Sequence, residues 1–159
     1  YSFYVRLQEA ELIQCPLDEE NGFILTLERI KKTWKSNCKI IMFCSPNNPT
    51  ANTINLELIA ATCKYYTDKS IIIVDEAYMD FSESESALSL LSEFENLIVL
   101  RTMSKACGLA SLRLGAIIAQ AHIIRAVNSI IAPYTISSAI AYLAIQALEN
   151  KDWFPTICA

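Results

Sequence analysis

Short apolar runs that each stop at a polar residue limit most strongly what this chain can fold into. Ile71-Ile72-Ile73-Val74 is β-branched throughout and stops at Asp75. Residues 39–44 form a second run, which stops at Ser45-Pro46, and Leu97-Ile98-Val99-Leu100 forms a third. Residues 112–119 read as a fourth, interrupted by Arg113 and Gly115. Continuous rather than alternating apolar character predicts strands covered on both faces, as in a parallel sheet.

Helical spacing separates these runs. Leu56, Ile59, Ala60, Cys63 and Tyr66 recur on one face, with Asn55 placed to cap them. Leu27, Ile30 and Trp34 repeat the pattern behind Thr26. A short helix is expected over residues 87–94 and another over 122–131, ended by Pro133. A long apolar helix is expected from Ser137 to Leu148. Strands alternating with helices predict an α/β fold, three layers deep, around a mostly parallel sheet.

Composition narrows the function. Charged residues make up 19% of the 159 positions, and the net charge of −4 is spread along the chain. No basic stripe supports a nucleic-acid partner, and no apolar run reaches membrane-spanning length unbroken. The six cysteines form no Cys-x-x-Cys pair, and His122 is the lone histidine. Reduced cysteines of a cytoplasmic protein are therefore expected, with no metal site. With only three glycines, Gly22, Gly108 and Gly115, the chain has neither a dinucleotide-binding nor a Walker-type loop.

Ligands of such sheets gather at the carboxyl ends of the strands. Asn48, Asp75, Tyr78 and Lys105 all follow strand-like runs. Each has a plainer explanation: Asp75 can cap a helix, Lys105 can be a solvated surface lysine, and Asn48 can be a turn residue. Arg113 inside an apolar run is costly unless it meets an anion or a carboxylate.

Taken in order, Ser45-Pro46-Asn47-Asn48-Pro49-Thr50, Val74-Asp75-Glu76-Ala77-Tyr78, Thr102-Met103-Ser104-Lys105 and Leu109-Ala110-Ser111-Leu112-Arg113-Leu114-Gly115 resemble the motifs of the fold-type I aminotransferases of class I/II. Ile131-Ala132-Pro133-Tyr134 and the opening Tyr1-Ser2-Phe3-Tyr4 resemble the histidinol-phosphate aminotransferase branch of that family. The resemblance implies a pyridoxal 5'-phosphate enzyme. Lys105 would hold the cofactor aldehyde covalently and move the substrate proton, and Asp75 would face the ring nitrogen. Asn48 and Tyr78 would bond the ring oxygen. Thr102, Ser104 and Arg113 would hold the phosphate, with Tyr1 stacked on one ring face and Ala77 against the other.

The implied activity is amino transfer from histidinol phosphate to 2-oxoglutarate in histidine biosynthesis, by a cytoplasmic homodimer. A threonine-phosphate decarboxylase, an aromatic-amino-acid aminotransferase and a non-catalytic fragment are the competing readings. Residues 1–159 would be part of the cofactor-binding large domain. An N-terminal segment and a C-terminal small domain would lie outside them, leaving this piece inactive alone. Two departures from the family bear on loop geometry: Ala51 and Ser111 stand where glycine is usual. At a positive φ, alanine would cost roughly 1 kcal/mol.

Overall fold

A computed structural model describes residues 1–150 and 152. Cys158 lies outside the described residues. The chain divides into two compact units, residues 1–38 and the remainder.

The first unit holds helices α1 (Ser2–Leu7) and α2 (Leu27–Thr33). The sequence reading assigned no helix to the aromatic opening that becomes α1. Thr26 caps α2 as expected, its hydroxyl accepting the Arg29 N–H at 3.3 Å. Between the helices, Asp18 and Ile24 form an isolated antiparallel bridge. Arg29 closes this loop onto α2, donating to the Pro16 carbonyl at 2.8 Å and to the Asp18 carboxylate at 3.0 Å.

The second unit is built on a four-stranded sheet in the order β1-β2-β3-β4. The strands are β1 (Ile40–Cys44), β2 (Ile71–Asp75), β3 (Leu97–Thr102) and β4 (Gly115–Ala119). The first three run parallel, and β4 runs antiparallel beside β3. The α/β class and the mostly parallel sheet expected from the sequence are both present. Between β1 and β2 lies α3 (Leu56–Tyr65), and after β4 come α4 (Ala121–Asn128) and α5 (Ser138–Glu149). Asn55 and Ser137 cap α3 and α5, accepting the N–H groups of Leu58 at 2.9 Å and Ile140 at 3.3 Å. Each such cap contributes about 1 kcal/mol.

The core lies where α3 packs on β2. Ile59, Cys63 and Tyr66 of the α3 region are fully buried, as are the sheet residues Ile72, Val74, Leu97 and Val99. Burial pushes the Cys63 thiol up to about 12, so it behaves as a small inert hydrophobe. Of the other described cysteines Cys107 is buried, whereas Cys15, Cys38 and Cys44 are half-buried, and no disulfide joins any of these five. Coverage is less even than the continuous apolar runs predict. Ile40 on β1 and Ile117 on β4 stay exposed, because outer strands have a neighbour on one side only.

Two helix expectations shorten. Residues 87–94 form a 3₁₀ turn over Ala87–Leu90 followed by turns, and α4 ends at Asn128, well before Pro133.

Candidate active site

The parallel strands β1, β2 and β3 bring their carboxyl ends to one edge of the sheet. Four of the residues singled out from the sequence sit on or just beyond that edge. Asp75 is the last residue of β2, in register with Cys44 on one side and Leu100 on the other. Its Oδ1 accepts the Ala77 N–H at 3.1 Å, which fixes the carboxylate against the turn that follows.

That turn carries Tyr78, whose hydroxyl accepts from the Asn48 side-chain amide at 2.9 Å. The Lys105 ammonium stands 5.0 Å from the centre of the same Tyr78 ring, within cation–π reach. Asn48, Tyr78 and Lys105 thus form one connected cluster, contributed by the segments after β1, β2 and β3. A cleft of about 400 Å³ opens beside it, lined by Asn48, Pro49, Ala51, Tyr78, Phe81 and Ser82 among others. It flanks the Asn48–Tyr78 pair, and Lys105 and Asp75 are not among its walls.

Lys105 projects from a tight turn. The Gly108 N–H donates to the Lys105 carbonyl at 2.8 Å, and Gly108 takes a φ of 65° that an L side chain rarely adopts. Ala106 and Cys107 are buried and anchor the turn, leaving Lys105 exposed. Thr102 closes β3, and its hydroxyl accepts the Ser104 N–H at 3.1 Å. These bonds place Thr102, Ser104 and Lys105 along one short stretch of the edge.

The loop after β1 is held by its own polar groups. The Asn47 amide donates to the Thr50 hydroxyl at 2.7 Å, and the Ala51 N–H donates to the Asn47 carbonyl at 2.8 Å. Ala51 adopts a φ of 60°, the conformation for which glycine would be preferred. Ser111, in contrast, lies in a 3₁₀ turn (Ala110–Leu112) and is not among the positive-φ residues, so a side chain is tolerated there.

Arg113 departs from expectation. It is neither buried nor in a strand, because β4 starts two residues later at Gly115. It ends the 3₁₀ turn in the left-handed region, φ 53°, and its guanidinium donates to the Ala110 carbonyl at 3.2 Å. An exposed arginine keeps its hydration, so the burial argument made for it from the sequence does not apply. Tyr1 belongs to the first unit, where it occupies the position before α1 without a side-chain capping bond and is exposed.

Sequence reasoning missed a second charged group at the same edge. Arg101 on β3 bonds Glu76 at 2.9 Å and Asp80 at 3.2 Å. The signal was present in the strand period. Ile72 and Val74 share one face of β2, which Glu76 just beyond the strand continues, as Leu97, Val99 and Arg101 share one face of β3.

The comparisons with known proteins agree with this architecture. The model of the family "Aminotransferase class I and II" matches residues 1–155. Histidinol-phosphate aminotransferase 1 of Legionella pneumophila (strain Lens) is 64% identical over 97% of this chain and 42% of its own length. Histidinol-phosphate aminotransferase of Buchnera aphidicola subsp. Schlechtendalia chinensis is 41% identical over 94% of this chain and 41% of its own. The chain thus spans about two fifths of these curated relatives. Among solved structures, histidinol-phosphate aminotransferase from Sinorhizobium meliloti, in complex with pyridoxal-5'-phosphate, superposes with a TM-score of 0.82 over 99% of this chain and 43% of that one, at 21% identity. With a family match along nearly its whole length and the same α/β framework, the chain belongs to the class I and II aminotransferases.

Proposed function

We propose that the full-length protein carrying this chain is a pyridoxal-phosphate-dependent aminotransferase that moves an amino group from histidinol phosphate to 2-oxoglutarate, in histidine biosynthesis. The observation that supports it best is the meeting of an amine, a phenol and an amide at the strand ends, beside a carboxylate held within the sheet. That donor set fits pyridoxal phosphate, which offers an aldehyde, a ring oxygen, a ring nitrogen and a phosphate. The two relatives named above, both histidinol-phosphate aminotransferases, support the substrate.

In this reading each group has one task. Asp75, its carboxylate fixed by the Ala77 N–H, would hold the proton on the ring nitrogen. Asn48 and Tyr78, already bonded to each other, would donate to the ring oxygen. Thr102 and Ser104 would bind the phosphate, joined by Arg113 once its side chain leaves the Ala110 carbonyl. Ala77 would line one face of the ring. When bound, the cofactor supplies an electron sink for the negative charge that develops on the substrate carbon. Lys105 would anchor the aldehyde and then, as a free amine, carry a proton to and from that carbon. The protein would work in the cytoplasm as a homodimer, on small amino-acid and 2-oxo-acid substrates. No helix among the described residues is long and apolar enough to cross a membrane.

The test uses full-length protein with added cofactor. Borohydride should fix a cofactor label on Lys105, and Lys105→Ala should carry none. Histidinol phosphate should then outcompete phosphothreonine and tyrosine as substrate. A wild-type protein that takes up no label on Lys105 would overturn the reading. A preference for phosphothreonine, with release of carbon dioxide, would redirect it to decarboxylation.

A further inference from the structure

Next in the chain to the segments that carry Tyr78 and Lys105 is a charged group to which the proposed chemistry gives no role. The Glu76 side chain is only 2% exposed, yet both of its oxygens are bonded. Oε1 accepts the Ala87 N–H at 2.7 Å, and Oε2 accepts from the Ser86 hydroxyl at 2.7 Å and from Arg101 Nε at 2.9 Å. Arg101 spends its remaining nitrogens on Asp80 Oδ1 at 3.2 Å and the Ser86 hydroxyl at 3.2 Å.

A buried ion pair is seldom the best way to stabilise a core, because apolar side chains of similar size do as well without the desolvation cost. A planar guanidinium with several donors offers something else, a fixed orientation toward several acceptors at once. Here the acceptors Glu76 and Asp80 bracket Tyr78 in the chain. One guanidinium therefore clamps both ends of the turn that presents the phenol. Arg101 itself immediately precedes Thr102, and three residues later comes Lys105. The β4 strand closes on the same point: Gly115 pairs with Thr102, and a Cβ there would sit 3.0 Å from the Arg101 carbonyl oxygen.

We propose that Arg101, with Glu76 and Asp80, is a positioning residue that sets where the Tyr78 phenol stands relative to the Lys105 amine. This rests on the cofactor reading above. The network acts through the Tyr78 turn and the end of β3, not by contact with substrate or cofactor. Lysine at position 101 could reach one acceptor but not hold both in a plane.

The experiment measures, in the full-length protein, the pH midpoint of the cofactor's visible absorbance band and the cofactor dissociation constant. Wild type is tested first for borohydride labelling of Lys105. No label there defeats the cofactor reading itself and is thereby distinct from the outcomes that follow. With wild type labelled, Arg101→Lys should move the midpoint by about half a pH unit or more. It should also lower kcat by on the order of tenfold to a hundredfold, with a smaller change in KM. Asp80→Ala removes only the partly exposed leg and leaves no buried charge unpaired. It should shift the midpoint in the same direction by less, and it decides the matter if Arg101→Lys fails to fold. Ile59→Val, in the buried face of α3, serves as a destabilised control whose midpoint should not move. Wild-type midpoints and cofactor affinity in the folded Arg101 and Asp80 variants would overturn the proposal, as would an equal shift in the Ile59 control.

Discussion

Two adjacent carboxylates at the end of β2 meet different surroundings. Glu76 continues the buried face of Ile72 and Val74 and has both oxygens engaged by Ala87, Ser86 and Arg101. Asp75 continues the half-buried face of Ile71 and Ile73, where its Oδ1 accepts the Ala77 N–H at 3.1 Å. A one-residue step along a strand reverses the side chain's face, so the same chemical group serves two ends. On one face saturation of the carboxylate fixes the backbone. Just beyond the strand ends the cluster of Asn48, Tyr78 and Lys105 is joined by one hydrogen bond and one ring contact. Loosely engaged polar groups leave donors for a ligand, whereas a saturated network leaves none. The lesson is that rigidity and chemistry are divided between neighbouring residues of one sheet edge.

Substitutions can break or sharpen this contrast. The largest effect is expected in the open cluster: Lys105→Ala in the full-length protein should lower amino transfer on the order of a thousandfold, measured by steady-state kinetics, while urea denaturation remains near wild type. In the saturated network the ranking should reverse. Glu76→Leu leaves the Arg101 charge with Asp80 alone and should cost about 3 kcal/mol in urea denaturation. Glu76→Leu with Arg101→Met should regain most of that stability without restoring the pH midpoint of the cofactor band. A double variant with a wild-type midpoint would show that stability, not orientation, is what the ion pair provides.

Smaller effects sharpen the picture. Ala51→Gly, at the residue with φ 60°, should stabilise the protein by about 1 kcal/mol, read as a raised Tm. Tyr78→Phe removes one exposed hydrogen bond. It should cost about 1 kcal/mol or less in stability, yet it should shift the cofactor band.

The smallest effect lies in the first unit, where Asp18 meets Arg29 at 3.0 Å near solvent. The Asn21 amide holds the Asp18 carboxyl below its ordinary range against the opposing effect of burial, and the Arg29 charge adds a smaller lowering. A lowered folded value means the contribution is present above the ordinary carboxylate range and is lost as pH falls through the lowered value. An NMR titration should give a depressed Asp18 midpoint that Asn21→Ala raises. An unchanged midpoint would refute the assignment.

How far the site could be read in advance depended on the kind of signal each residue leaves. Asp75, Tyr78, Asn48 and Lys105 each follow an apolar run, and parallel pairing carries such positions to one edge. Caps at Thr26, Asn55 and Ser137 were legible because a capping side chain acts within three residues of itself. Arg113 misled because an apolar neighbourhood in sequence suggested burial, whereas the left-handed turn before β4 carries the side chain outward. The helical opening at Ser2–Leu7 left no capping signal, since Tyr1 offers no side-chain acceptor to the helix N-terminus. The Glu76–Arg101 pairing spans 25 residues and needs the β2–β3 register to become visible.

By itself the sequence determined the alternation of strand and helix, the caps, the family motifs and the order in which polar residues arrive at the sheet edge, because these follow from local propensity and spacing. Tertiary structure alone decided which carboxylate is buried against which guanidinium, that β4 turns back antiparallel, and that Tyr78 joins Asn48 to Lys105. Such contacts depend on register and on the path of turns between strands. A shift of one residue would send every side chain to the other face, and no local pattern fixes that choice.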